Sequence, residues 1–146
     1  MKVLFLDIDG VLNHSGSEII SHNVWFIDSV NVARLNRLFQ EIPNITVCLS
    51  SSWRHAVKAH TININQLLEE AGWEGPKVIE MTPDQPDDPR GLEIDAWLKT
   101  HSNVSHFVIL DDDDDMVHLS DKQVQTCFQE GGLQEEHVNK IIRRLI

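Results

Sequence analysis

The sequence predicts a single-domain, three-layer α/β fold around a mostly parallel sheet, on three observations. Three runs, Val3–Leu6, Ile45–Leu49 and Phe107–Leu110, are apolar with almost no alternation, as strands buried on both faces are. Segments of helical spacing lie between them, the alternation that builds a parallel sheet covered on both sides. Each run stops abruptly at polar residues: Asp7 and Asp9, Ser50 to Ser52, and Asp111 to Asp115. Ligands of open sheets bind beyond the carboxyl ends of the strands, so the three clusters are expected in one crevice.

The first strand runs straight into Asp7, Asp9 and Gly10. Two carboxylates one residue apart at the end of a buried strand repel each other unless a cation lies between them. Gly10 lets the chain turn sharply away. These residue types point to a place where a divalent metal meets an anionic substrate. His14 to Asn23, centred on Ser15-Gly16-Ser17, reads as a loop forming a small flap, and the apolar residues 24–27 pack it down. Val32, Leu35, Leu38 and Phe39 mark a helix from about Ser29 to Glu41, with Asp28 or Ser29 as its cap and Pro43 as its stop.

A helix follows the three serines, and another covers about Ile64 to Ala71 before Gly72. Lys77–Met81 reads as a short strand. Thr82–Pro89, with three prolines and three acids, reads as a loop. Gly91–Thr100 returns to helical spacing through Leu92, Ile94 or Asp95, and Leu98. Val124–Phe128 reads as a last strand. Leu133–Ile146 reads as a closing helix with Val138, Ile141, Ile142 and Leu145 on one side. No repeat, linker or internal boundary interrupts this order.

The length of 146 residues suits one domain with its own core, and an apolar share of 41% is ordinary for a globular chain. Lys and Arg number 12 against 23 Asp and Glu, a net charge of -11, which disfavours broad binding along a nucleic-acid backbone. Cys48 lies inside an apolar run and reads as a buried free thiol rather than half of a disulfide with Cys127. The opening MKVLFLDIDG has too short an apolar run for a signal peptide, and no run reaches the length of a membrane span. A soluble, cytoplasmic protein without a membrane partner is expected. The eight histidines, His22 among them, lack metal-ligand spacing and read as surface residues, with His55 alone one turn from the serines. Trp25, Trp73 and Trp97 read as core, and Trp53 lies beside the site.

LFLDIDGVLN, CLSSSWR, RGLEIDAWL and VILDDDDDM, in this order and strand context, resemble the haloacid dehalogenase (HAD) superfamily of phosphotransferases, which is Rossmann-like. In detail they look like its small domain family found in Swiss Army Knife RNA repair proteins. The resemblance implies that Asp7 is a nucleophile forming an aspartyl-phosphate and that Asp9 is the general acid and base. A serine after the second strand would hold a phosphoryl oxygen. Ser50 directly follows the apolar run, whereas Ser51 has the better spacing to Trp53 and Arg54, and Ser52 stands with them. Gly10 would face the substrate. Arg54 would clamp its phosphate, or else is a surface charge.

Arg90 best fits the basic residue of the third motif, ahead of Lys77 and Lys99. Asp111 would ligate the metal with Asp7, the Asp9 carbonyl, and Asp112 or Asp115. Mg²⁺ suits such an oxygen set. No large cap is present, so the site should be open. The implied activity is a Mg-dependent phosphomonoesterase acting on an RNA end, a nucleotide or a small metabolite.

Three other readings fit less well. A calcium loop starting at Asp111 lacks its glycine and has Lys122 where a bidentate Glu is required. A phosphorylation-accepting receiver domain carries its Asp on a middle strand, which here ends in serine. A non-catalytic phosphate-binding module would not need the intact pair Asp7 and Asp9. No GxxxxGK[ST] loop is present.

Overall fold

A computed structural model of the chain describes residues 1–20 and 23–146. Five strands form one parallel sheet in the order β3-β2-β1-β4-β5. They are β1 Lys2–Leu6, β2 Ile45–Leu49, β3 Glu80–Met81, β4 His106–Asp111 and β5 Gln123–Gln125. The helices are α1 Ser15–Ile20, α2 Ser29–Glu41, α3 Arg54–Lys58, α4 Ile64–Glu70, α5 Arg90–Lys99 and α6 Glu135–Leu145. No described helix is long and apolar enough to cross a membrane.

Successive strand residues point to opposite faces, and β1 divides its side chains accordingly. Leu4 and Leu6 join a large core with Val32, Leu35 and Leu38 of α2, Leu68 of α4, and Val138 and Ile141 of α6. Val3 and Phe5 meet a smaller core on the other face, made by Ile94 and Trp97 of α5 with Met116 and Leu119. This division produces the three layers. Both cysteines are free, and Cys48 is buried on the smaller face.

Several elements settle differently from the sequence reading. The segment read as a flap loop contains α1, and its start is tied to Asp28: Ser17 Oγ donates to Asp28 Oδ2 at 2.8 Å, and His14 Nε2 lies 3.1 Å from the same oxygen. Gly and Ser are weak helix formers, so this contact had no local signal. Ser21 and His22 lie outside the described residues. Of the apolar residues 24–27, Val24 is exposed, while Trp25 packs edge-on against Trp53 at 5.2 Å. Asp28 rather than Ser29 caps α2, accepting from Val30 N–H.

The strand expected over Lys77–Met81 pairs only at Glu80 and Met81. Just before them, the Asn65 side chain exchanges two bonds with the Val78 backbone and takes the place of a neighbouring strand. The last strand is Gln123–Gln125 rather than Val124–Phe128, and Cys127 opens a single 3₁₀ turn. In α5 the buried residues are Gly91, Glu93, Ile94 and Trp97, and Leu92 is exposed. A 3₁₀ turn at Val117–Lys122, not foreseen, packs beside α5.

Strand register sets the site. Leu6 is level with Leu49 on one side and Leu110 on the other. The next residues therefore emerge together: Asp7 N–H donates to Leu110 O, Ser50 N–H to Leu6 O, and Thr82 N–H to Leu49 O.

Candidate active site

Asp7 and Asp111 extend neighbouring strands at the same level, and both are buried. One carboxylate oxygen from each of Asp7, Asp111 and Asp112 lies within 4.8 Å of the others. The loop that carries Asp112 is fastened on all sides. Asp113 N–H donates to Asp111 Oδ1, Gln125 Nε2 to Asp112 O, and Gln123 Nε2 to Asp113 O. Thr126 Oγ1 donates to Gly10 O at 2.6 Å. Gly10 has φ +78°, and a Cβ there would stand 2.1 Å from Asp112 Oδ2. Only glycine lets the first-strand turn and the acidic loop come this close.

Burial raises the Asp7 carboxyl well above its ordinary range, and the charge of Asp111 adds to this while Arg90 opposes it. Burial likewise pushes Asp111 up to about 7, with Arg90 pulling down. Asp112 is raised by burial and by Asp113. Burial and mutual repulsion favour the protonated forms of these carboxyls, and a divalent cation among them would favour the ionised forms instead. The donor set, all carboxylate oxygen, fits a hard cation.

Arg90 is the one guanidinium that reaches the cluster among the described residues. Its Nη1 lies 3.4 Å from Asp111 Oδ2 and 3.7 Å from Asp7 Oδ1, and it donates to the Ser50 carbonyl. Burial alone would weaken its charge, but the carboxylates of Asp7, Asp111, Glu93 and Asp115 outweigh that and hold it protonated. Its position comes from the start of α5. Arg90 N–H donates to Asp115 Oδ2 and Gly91 N–H to Asp115 O, so the acidic run caps this helix. Gly91 permits the approach, since a Cβ would meet Met116 O at 2.1 Å. Asp115 is thus a helix cap, and Asp112 is the third acid of the cluster. Lys77 is exposed, and Lys99 pairs with Asp95 at the far end of α5.

Arg54 corrects the sequence reading on both counts, being neither a surface charge nor a free clamp. It is buried, with Nε donating to Ser51 O and Nη1 to Thr82 O, Thr82 Oγ1 and Pro83 O. Its Nη2 faces both oxygens of Glu93 at 3.2 and 3.3 Å. Each of its three nitrogens is thus engaged within the protein rather than held free for a substrate. Glu93 Oε1 also lies 3.4 Å from Arg90 Nε, and Oε2 accepts Gln85 N–H. Glu93 was missed from the sequence, although it stands three residues after Arg90 and so on the same helix face.

The serines separate. Ser51 Oγ accepts Trp53 N–H at 3.2 Å and serves the chain's turn into α3. Ser52 is exposed. Ser50 Oγ is buried and has no hydrogen-bond partner, at the level of Asp7. Asp9 is exposed, outside the carboxylate cluster, and its Oδ1 accepts from Asn13 Nδ2 at 2.9 Å. Asn13, quoted in the first motif but given no role from the sequence, is buried. His55 is exposed, 3.4 Å from Asp84. A cavity of about 650 Å³ opens beside Asp112, with Gln125, Phe128, Gln129, Glu136 and His137 in its wall.

No curated protein and no solved structure matches the chain. One family does, and it covers every part of the crevice from β1 to α6. Its model, described as the HAD domain in Swiss Army Knife RNA repair proteins, matches residues 3–138. The match supports a phosphatase-like function, and the family typically uses a divalent metal, for which Asp7, Asp111 and Asp112 offer a carboxylate cluster here. With the parallel sheet and the aligned strand ends, it settles where the sequence stands: this chain belongs to the HAD domain family of Swiss Army Knife RNA repair proteins.

Proposed function

We propose that the chain is a Mg²⁺-dependent phosphomonoesterase working through an aspartyl-phosphate on Asp7. The observation that carries this reading is the cluster of buried Asp7 and Asp111 with half-buried Asp112, and Arg90 against it. A dianionic phosphate cannot approach a carboxylate nucleophile unless positive charge offsets their repulsion. Asp7, Asp111 and Asp112 would hold the ion, with the Asp9 carbonyl as the fourth protein oxygen. When bound, Mg²⁺ supplies that charge and draws the phosphoryl oxygens toward the nucleophile.

The chain's own groups do the rest. Arg90 stabilises charge on the phosphoryl oxygens, and the partnerless Ser50 hydroxyl donates to one of them. Asp7 attacks phosphorus as the ester bond breaks, and Asp9 gives its proton to the departing oxygen. Asp9, now a carboxylate, takes a proton from the water that attacks the phospho-Asp7 and releases phosphate. Arg54 holds Glu93 and the loop around Thr82, and thereby the arginine that meets substrate.

The substrate in this reading is a phosphorylated RNA end or a nucleotide. The family and the room beside Asp112 support a nucleoside as leaving group, with Phe128 able to stack on a base. The net charge of -11 limits the grip to the terminal phosphates, which predicts a log affinity against log salt slope no steeper than about -1.5, at about -0.7 per phosphate. The same charge favours a second reading, a small-metabolite phosphatase. The experiment is a panel of an aryl phosphate, a mononucleotide 3′-phosphate, a 3′-phosphorylated oligonucleotide and a sugar phosphate, each with and without Mg²⁺. Hydrolysis should need Mg²⁺ and vanish in Asp7→Asn; undiminished turnover in that variant would sink the mechanism. A clear preference for the sugar phosphate would replace the RNA-end substrate with a metabolite.

A further inference from the structure

Asn13 makes three hydrogen bonds that allow its amide only one orientation. Oδ1 accepts Gly10 N–H at 3.0 Å, while Nδ2 donates to Asp9 Oδ1 at 2.9 Å and to Phe26 O at 3.1 Å. Turning the amide over would set its NH₂ against an N–H and its oxygen against a carbonyl and a carboxylate. Both donors and the acceptor are therefore committed. The chain returning from the flap helps hold it, since Asp28 N–H donates to Leu12 O at 2.7 Å. Asp9 is the opposite case. Its side chain is exposed, and among the described residues Asn13 makes the only hydrogen bond to it. A free aspartate spreads over several rotamers, and a proton donor works only when it is aimed at the departing oxygen.

We propose that Asn13 is a positioning residue for Asp9, engaging Oδ1 so that Oδ2 is the oxygen presented to substrate. The proposal rests on the reading of Asp9 as general acid. In the first step the Asp7–phosphorus bond forms, the bond from phosphorus to the departing oxygen breaks, and the proton of Asp9 Oδ2 moves to that oxygen. In the second, Asp9 Oδ2 takes a proton from water as the water oxygen bonds phosphorus and the bond to Asp7 breaks. Asn13 gains and loses nothing in either step; it keeps the same carboxylate oxygen engaged throughout.

The need for a proton depends on the leaving group, and this separates aiming from general support of the fold. Dinitrophenolate departs unaided, whereas an alkoxide does not. With Mg²⁺ present, kcat/KM should be measured for 2,4-dinitrophenyl phosphate and glycerol phosphate in the wild type, Asn13→Ala, Asn13→Asp, Asp9→Asn and the double variant Asp9→Asn/Asn13→Ala. Asn13→Asp keeps the acceptor for Gly10 N–H while removing the donor to Asp9, so it guards against loss of the turn. Both Asn13 variants should lose at least tenfold more on glycerol phosphate than on the dinitrophenyl ester. In the Asp9→Asn background, Asn13→Ala should add no further loss on glycerol phosphate. Equal losses on the two esters, or losses that multiply in the double variant, would overturn the role of Asn13 while leaving Asp9 in place. If Asp9→Asn itself treats the two esters alike, the acid assignment falls and the role of Asn13 with it.

Discussion

Glu93 and Arg54 form an ion pair that is almost sealed from water, with Arg54 Nη2 3.2 Å from Glu93 Oε1 and side-chain exposures of 3% and 5%. The same Glu93 oxygen faces Arg90 Nε at 3.4 Å. One carboxylate thus links the chain leaving β2 to the arginine that touches Asp7 and Asp111. Breaking such a pair on one side leaves a buried charge uncompensated, at a cost of about 3–5 kcal/mol. Arg54→Met should lower the unfolding free energy in urea by about that amount. Glu93→Gln should fold, and should lower kcat more than it raises KM for an aryl phosphate. Full stability of Arg54→Met would show that the pair is not what holds this region.

The raised carboxyls give the metal-free protein a pH dependence with a definite sign. Asp111 binds a proton up to about 7 when folded, against about 3.9 when unfolded. Between those values the folded state holds more protons, so this group's contribution to stability declines as pH rises through that window. In EDTA, Asp111→Asn should therefore be more stable than the wild type at pH 8, by an amount on the order of 4 kcal/mol at most, at about 1.36 kcal/mol per pKa unit. The difference should shrink toward pH 4. Thermal melts at both pH values, with and without Mg²⁺, check this, and Mg²⁺ should raise the wild-type Tm far more at pH 8 than at pH 5. A wild type more stable than Asp111→Asn in EDTA at pH 8 would contradict the crowding of the carboxylates.

The five consecutive aspartates should be unequal. Asp111→Ala and Asp112→Ala remove members of the cluster, while Asp115→Ala removes a cap from α5. Asp114 is exposed. A Mg²⁺ titration of aryl phosphatase activity should shift strongly for the first two and hardly at all for Asp114→Ala. Asp115→Ala should appear instead as a loss of stability of about 0.5–2 kcal/mol, as for other helix caps. Similar titration curves for Asp111→Ala and Asp114→Ala would show the ligands are assigned wrongly.

Gly10→Ala meets two obstacles at once. Its φ of +78° disfavours any Cβ, by roughly 1–2 kcal/mol. Its Cβ would also stand 2.1 Å from Asp112 Oδ2 and displace that carboxylate. The variant should lose Mg²⁺ affinity by calorimetric titration as well as stability. Unchanged Mg²⁺ affinity would remove Asp112 from the ligand set.

The sequence by itself determined the frame of this protein. Short apolar runs that stop abruptly at polar clusters and alternate with helical segments read as strands buried on both faces, so β1, β2 and β4, and the polar clusters at their ends, were legible from pattern. Helix α2 was equally plain, because Val32, Leu35 and Leu38 repeat at helical spacing and Asp28 can cap it. What the pattern could not carry was any choice made by contacts between distant residues. Among three adjacent serines, strand register and the bond from Trp53 N–H leave Ser50 as the one buried hydroxyl without a partner, while Ser52 faces solvent. Among five adjacent aspartates, close approach to Gly10 places Asp112 in the cluster, and the start of α5 takes Asp115. Arg54 looked like a free basic group because its partners, Thr82 and Glu93, lie 28 and 39 residues away. Chemical type is a property of the residue. Which donor meets which acceptor is set by burial, where nearly every polar group finds a partner and an exception such as the Ser50 hydroxyl marks the site.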